Sequence, residues 1–101
     1  MISLCYYFVE ILSDMRKIYG IGETLLDIIF KNDQPQAAKP GGAMLNSTVS
    51  LGRIGLPVSL ISEYAGDDIG TMIDRFLHEN GVGTDHVDHY SDGKTALAIA
   101  L

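Results

Sequence analysis

The chain has 101 residues, 47% of them apolar and 20% charged, a balance that describes one globular unit and excludes a multidomain chain, a disordered tail or a fibre. Thirteen acidic residues against seven basic ones give a net charge of -6, and the Lys and Arg are scattered, so nucleic acid finds no clustered positive face. This suits a soluble cytoplasmic protein, and the single cysteine, Cys5, excludes an internal disulfide and agrees with a reducing compartment.

Eight of the first nine residues are apolar, the exception being Ser3. No positive residue precedes the run, Glu10 follows it and no small-x-small cleavage site closes it, so a secretory signal fits poorly. The run is also shorter than the roughly 20 apolar residues of a membrane span, so no membrane association is expected. A strand pattern starts at Lys17, and residues 15–101 are therefore expected to form the folded domain, with Met15 as its start. Residues 1–14 are then an N-terminal extension, either a start-site artefact or an extra helix on the domain.

Residues 17–21 read as a buried strand. After Gly22 a second apolar run, residues 25–30, stays extended until Asn32, Asp33, Gln34, Pro35 and Gln36 break it into a loop. Pro40-Gly41-Gly42 leads into a moderately polar helix over residues 43–54, stopped by Gly55 and Pro57. Residues 58–61 are apolar throughout all but Ser59, as a buried parallel strand should be. Ile69, Met72, Ile73, Phe76 and Leu77 recur at helical spacing and mark the clearest helix, with Asp67 and Asp68 at its positive end and Asn80-Gly81 as its stop. A short strand around Val87 and a longer one over residues 95–101 follow, joined by the turn Ser91-Asp92-Gly93.

Strands alternating with helices imply right-handed crossovers and a mainly parallel sheet, so the fold class is α/β. The sequence stops within the apolar run of residues 95–101, with nothing following to cover it. A portion of a larger domain is expected, with one sheet edge and part of a face open to water.

Few patterns carry chemistry. Gly20-Ile21-Gly22 follows a strand, but Leu25 occupies the place of the third glycine of a dinucleotide fingerprint and no helix start follows. The only Gly-Lys, Gly93-Lys94, enters a strand and lacks the Ser or Thr of a P-loop. No Cys/His cluster has zinc spacing, so no metal site is expected, and His78, His86 and His89 read as solvated surface residues. The informative segment is Pro40 to Asn46. Gly41 and Gly42 let the backbone approach a ligand, the helix that follows offers free N–H groups, and Asn46 one turn in offers donor and acceptor to a hydroxylated ligand. Asp27 stands between Leu26 and Ile28 in an apolar strand, where an unpaired charge is costly and a ligand hydroxyl is a good partner. The same residues also fit a plain turn, a surface Asn and an Asp paired with a backbone N–H.

From Lys17 to Leu101 the sequence resembles the ribokinase/PfkB-type carbohydrate kinases, and their fructokinase-like branch in particular. The resemblance rests on Gly22-Glu23-Thr24-Leu25-Leu26-Asp27, on Gly41-Gly42-Ala43 with Asn46 and Thr48, on Leu51-Gly52-Arg53-Ile54-Gly55, and on Gly66-Asp67-Asp68-Ile69-Gly70. Two departures stand out: Met44 where the family has Gly, Ala or Pro, and ten residues rather than nine between Gly55 and Gly66.

The resemblance implies an ATP-dependent kinase acting on a sugar hydroxyl with Mg2+, built as a ribokinase-like α/β domain with a small β lid over the sugar. By position, Asp27, Gly41, Gly42 and Asn46 are then substrate-binding residues, and residues 25–30 and 95–101 rise into the lid. Asp67 and Asp68 stay as helix-capping residues. The family's late catalytic aspartate, in a Gly-Ala-Gly-Asp motif, and its nucleotide site have no counterpart here, so no catalytic, cofactor-binding or metal residue is assigned and the chain alone is expected to be inactive. A keto-sugar such as fructose or a related sugar acid is the favoured substrate, a nucleoside the lesser one, and a homodimer through the lid strands is implied by resemblance only. Two other readings stay open: a nucleotide-binding half of a Rossmann-type oxidoreductase, and a non-catalytic truncated remnant.

Overall fold

A computed structural model describes residues 17–101 of the chain. The expected extension, residues 1–14, and the boundary at Met15 lie outside the described residues. In chain order the elements are β1 (Ile18–Ile21), β2 (Leu25–Lys31), β3 (Gln34–Gly41), α1 (Ala43–Arg53), β4 (Val58–Ala65), α2 (Asp68–Glu79), β5 (Val82–Gly83), β6 (Val87–Tyr90) and β7 (Leu97–Ala100).

They form two sheets. In the first, β4 is the central strand, with β1 along one edge and β5 and then β6 along the other, all parallel to it. The chain moves from β1 through α1 to β4, then through α2 to β5, advancing across the sheet in one direction, which with right-handed crossovers puts both helices on the same face. Both helices cover one face. Leu45 and Val49 of α1 and Ile73 and Leu77 of α2 meet Val58, Leu60 and Tyr64, which alternate along β4, in one core with Val82 and Val87. Each such fully buried aliphatic side chain is worth roughly 1.5–3 kcal/mol over its exposed state. The opposite face is open among the described residues: Tyr19 is 47% and Ile21 69% exposed on β1.

The second sheet is the small one, ordered β3-β2-β7. β2 and β3 pair antiparallel, and β2 and β7 pair parallel with Asp27 opposite Ala98. Residues 25–30 and 97–100 thus meet in a sheet separate from the parallel one, as the lid expectation requires.

One expectation fails. The polar residues 32–36 do not end in a loop; they turn the chain straight back into β3. Lys31 pairs with Gln34, and between them Asn32 and Asp33 take φ of 52° and 61°. Two consecutive positive φ values make the two-residue turn whose twist matches that of the strands. Pro35 and Pro40 fit within β3 because it is the sheet edge, where one row of N–H groups has no partner to lose. The register also slips between Ile29 and Phe30, leaving Gln36 as a bulge.

Candidate functional site

The four residues singled out by sequence converge on the junction between the small sheet and α1. Asp27 projects from β2, half-buried. Gly41 closes β3 opposite Leu25, and there is no room beside it: a methyl group on Gly41 would overlap Oδ2 of Asp27. Gly42 is the N-cap of α1 at φ 123°, a backbone that L side chains rarely adopt, and a Cβ there would run into the carbonyl oxygen of Glu23. Glycine at both positions is therefore a steric requirement.

Gly42 offers α1 no side-chain cap. The helix start consequently keeps its partial positive charge and its unpaired N–H groups near the Asp27 carboxylate. Asn46 sits one turn in, its N–H donating to the Gly42 carbonyl at 3.0 Å and its side chain exposed. A carboxylate acceptor, uncapped N–H donors and an amide that does both are what a polyhydroxylated ligand needs.

Met44, the departure from the family pattern, turns toward β1. Its side chain lies where a Cβ on Gly20 or Gly22 would be, 3.0 Å from its Cγ and 2.7 Å from its Cβ respectively. Gly20-Ile21-Gly22 thus serves close helix–strand packing, and β2 rather than a helix N-terminus follows it, so no cradle for a pyrophosphate forms there.

Where the chain passes from the parallel sheet to the small one, hydroxyls and one carboxylate tie the crossings to β4. Thr24 Oγ1 and Ser62 Oγ lie 2.8 Å apart, and the Ser62 hydroxyl donates to the Gly22 carbonyl at 2.6 Å. Further along, Asp67 caps α2 by accepting from Gly70 N at 2.8 Å, and it also accepts from Thr95 Oγ1 at 2.7 Å and Thr95 N at 3.0 Å. The Thr95 hydroxyl in turn accepts from Ala65 N at 3.1 Å. The backbone bonds from Thr95 and Gly70, with the Thr95 hydroxyl, hold the Asp67 carboxyl at about 2, below its ordinary value. Between these crossings lies a recess lined by Glu23, Thr24, Leu25, Glu63, Tyr90 and Ala96.

The sequence reading missed a further cluster. The buried Tyr64 hydroxyl donates to Asp74 Oδ1, and His89 Nε2 lies 2.9 Å from the same oxygen, its ring edge-on to Tyr64 at 5.1 Å. Burial, and then the Asp74 bond, push the Tyr64 hydroxyl well above its ordinary pKa. All three histidines are exposed as expected, His78 bonded to Thr84 Oγ1 at 2.8 Å and His86 edge-on to Tyr19. Among the described residues no group of three His, Cys, Asp or Glu is placed to hold a metal ion, and no helix is long and apolar enough to cross a membrane.

The chain resembles known carbohydrate kinases in sequence and in fold. It is 30% identical to a ribokinase of Bacillus subtilis (strain 168) over 85% of this chain and 34% of that protein. It is likewise 30% identical to a probable fructokinase-4 of Arabidopsis thaliana over 81% of this chain and 27% of that protein. The chain thus spans about a third or less of the length of the relatives it matches. Among solved structures, the fructokinase of Xylella fastidiosa with bound ATP superposes with a TM-score of 0.73 at 30% identity, covering 82% of this chain and 28% of that one. The aminoimidazole riboside kinase of Salmonella enterica, complexed with aminoimidazole riboside and an ATP analog, gives 0.77 at 26% identity, covering 83% and 28%. The fold is therefore part of the ribokinase-like α/β fold. Residues 15–101 match the model of the pfkB family carbohydrate kinases, and with these relatives and this fold the chain belongs to that family.

Proposed function

We propose that this chain is the sugar-binding portion of an ATP-dependent sugar kinase, with residues 15–101 as the N-terminal portion of its catalytic domain. The observation that carries the reading is the meeting of Asp27 on β2 with Gly41 and Gly42 at the uncapped start of α1. The Asp27 carboxylate accepts hydrogen bonds from sugar hydroxyls, the glycines admit the sugar against the backbone, and Asn46 completes the set with a donor and an acceptor. Phosphoryl transfer needs the acceptor hydroxyl fixed in line with the γ-phosphate, and holding it there is the task of these four residues.

ATP supplies the phosphoryl group and Mg2+ offsets its charge when they are bound. ATP use is supported by the ATP-bound fructokinase that this chain resembles. Nucleotide and metal are assigned to the rest of the kinase domain, of which this chain covers 28% in the ATP-bound fructokinase, and no residue here is given a catalytic role. The opening Gly22-Glu23 with Leu25-Leu26-Asp27 favours a keto-sugar such as fructose or a related sugar acid. A cytoplasmic setting fits the acidic balance and single cysteine, and pairing of two copies through the small sheet fits its exposed Leu97 and Ile99.

Titration of the 101-residue chain with fructose and ribose, followed by amide chemical shifts, tests the reading. Shifts are expected at Asp27, Gly41, Gly42 and Asn46, and Asp27→Ala should weaken the sugar by about 2 kcal/mol, the cost of a charge-assisted hydrogen bond. The chain alone should release no ADP in response to sugar. Shifts confined to other residues, or sugar-dependent ADP release above background, would overturn the reading.

A further inference from the structure

Asp67 does more than cap a helix. An N-cap side chain satisfies one or two donors of its own first turn, here Gly70 N. The remaining acceptor capacity of this carboxylate goes to a residue 28 positions away, Thr95, which is 4% exposed and gives both its N–H and its hydroxyl. The same hydroxyl accepts from Ala65, the last residue of β4, so Thr95 is held from two sides just before β7 starts. The next residue, Ala96, accepts from the N–H of Leu26 at 3.0 Å and opens the β2–β7 ladder, in which Asp27 stands opposite Ala98. Hydrogen bonds at Thr95 and at Ala96, joined by the peptide bond between them, thus lead from the Asp67 carboxylate to the strand that carries Asp27.

We propose that Asp67 is a positioning residue for the substrate lid: through Thr95 it fixes where β7 leaves the parallel sheet, and β7 fixes β2 and the Asp27 carboxylate. The functional part of this assignment rests on the reading of the small sheet as a cover for sugar. The anchor itself does not, because it is a property of the chain without ligand. The carboxylate stays ionised into acid, held near 2 by these same bonds, so the anchor persists across any neutral or mildly acidic condition.

Amide hydrogen exchange of the 101-residue chain, read by mass spectrometry in β2, β7 and α2 separately, distinguishes anchoring from capping. Asp67→Ser keeps an N-cap oxygen for Gly70 but gives up the charged acceptor that reaches Thr95. Thr95→Val removes the hydroxyl at constant shape, and Thr95→Ser restores it. Exchange in residues 25–31 and 96–100 should accelerate about tenfold in Asp67→Ser and Thr95→Val, the loss expected for a hydrogen bond to a charged group. The first turns of α2 should stay protected, and Thr95→Ser should behave as the parent chain. Unchanged exchange in the small sheet, acceleration of α2 to the same extent, or a Thr95→Ser profile like that of Thr95→Val overturns the proposal. Sugar is absent from the measurement, so a failed sugar titration and a failed anchor give separate results.

Discussion

Asp67 accepts from Gly70 N, Thr95 N and Thr95 Oγ1, and these bonds favour its ionised form in the folded chain over its ordinary state near 3.8 in the unfolded one. Because the folded value is the lower, at about 2, its contribution to stability is complete above about pH 4. It is lost as the pH falls from about 3.8 toward 2, where the folded carboxyl takes up its proton. Urea midpoints of the parent chain should therefore drop across that window, and Asp67→Asn should show a smaller drop from a lower starting point. Equal acid slopes in the two proteins would refute the assignment. The capping role of Asp67 is legible locally, since two acids precede an apolar helical repeat. Its bonds to Thr95 are not, because no local rule joins a helix cap to a strand start 28 residues on. Asp27 and Gly41 were legible as separate oddities, a charge among apolar residues and a glycine before a helix. Their contact follows only from the pairing of β2 with β3.

At the scale of elements, the turn between β2 and β3 sets the antiparallel half of the small sheet. Asn32 and Asp33 both hold left-handed backbone, with φ of 52° and 61°. Asx side chains tolerate that region, whereas a β-branched residue is costly there. Asp33→Val should lower stability by roughly 1–2 kcal/mol, and Asp33→Gly should match or exceed the parent, as thermal unfolding can measure. A neutral Asp33→Val would count against the turn. β5, two residues long, is too short to show a pattern and was not expected, but the helices and the other parallel strands could be read from periodicity and punctuation, with ends within a few residues. β3 could not, because Pro35, Pro40 and a polar run carry little strand propensity, and only its place at a sheet edge makes them tolerable. An Asn-Asp pair flanked by extended residues was the available signal, weaker than the Asn-Gly that marks such turns most clearly.

At the scale of the molecule, both helices lie on one face of the parallel sheet and leave Tyr19 and Ile21 on the other. The described residues reach 53 × 32 × 19 Å with a radius of gyration of 15.7 Å, above the about 13 Å of a compact 100-residue domain. An apolar edge strand on an uncovered face is a template for association. Ile21→Lys should slow light-scattering growth of the purified chain while moving its unfolding free energy by no more than about 0.5 kcal/mol, as a surface substitution does. An unchanged rate would mean that this face is not where copies meet. The one-sided cover was legible only in outline, as a face expected to lie open, because periodicity shows that a helix has an apolar side but not which side of a sheet receives it.

The two sheets are joined by three passages of the chain: Gly22–Thr24 into β2, Gly41–Gly42 out of β3, and Ser91–Ala96 into β7. They stand abreast, Gly42 against Glu23, Thr24 against Ser62, and Thr95 against Ala65, along the carboxyl end of β4. A plate held by three straps in a row bends easily about the line through them and resists twisting about any other axis. On that geometry, any movement of the small sheet against the parallel one would carry Asp27 with it relative to the start of α1.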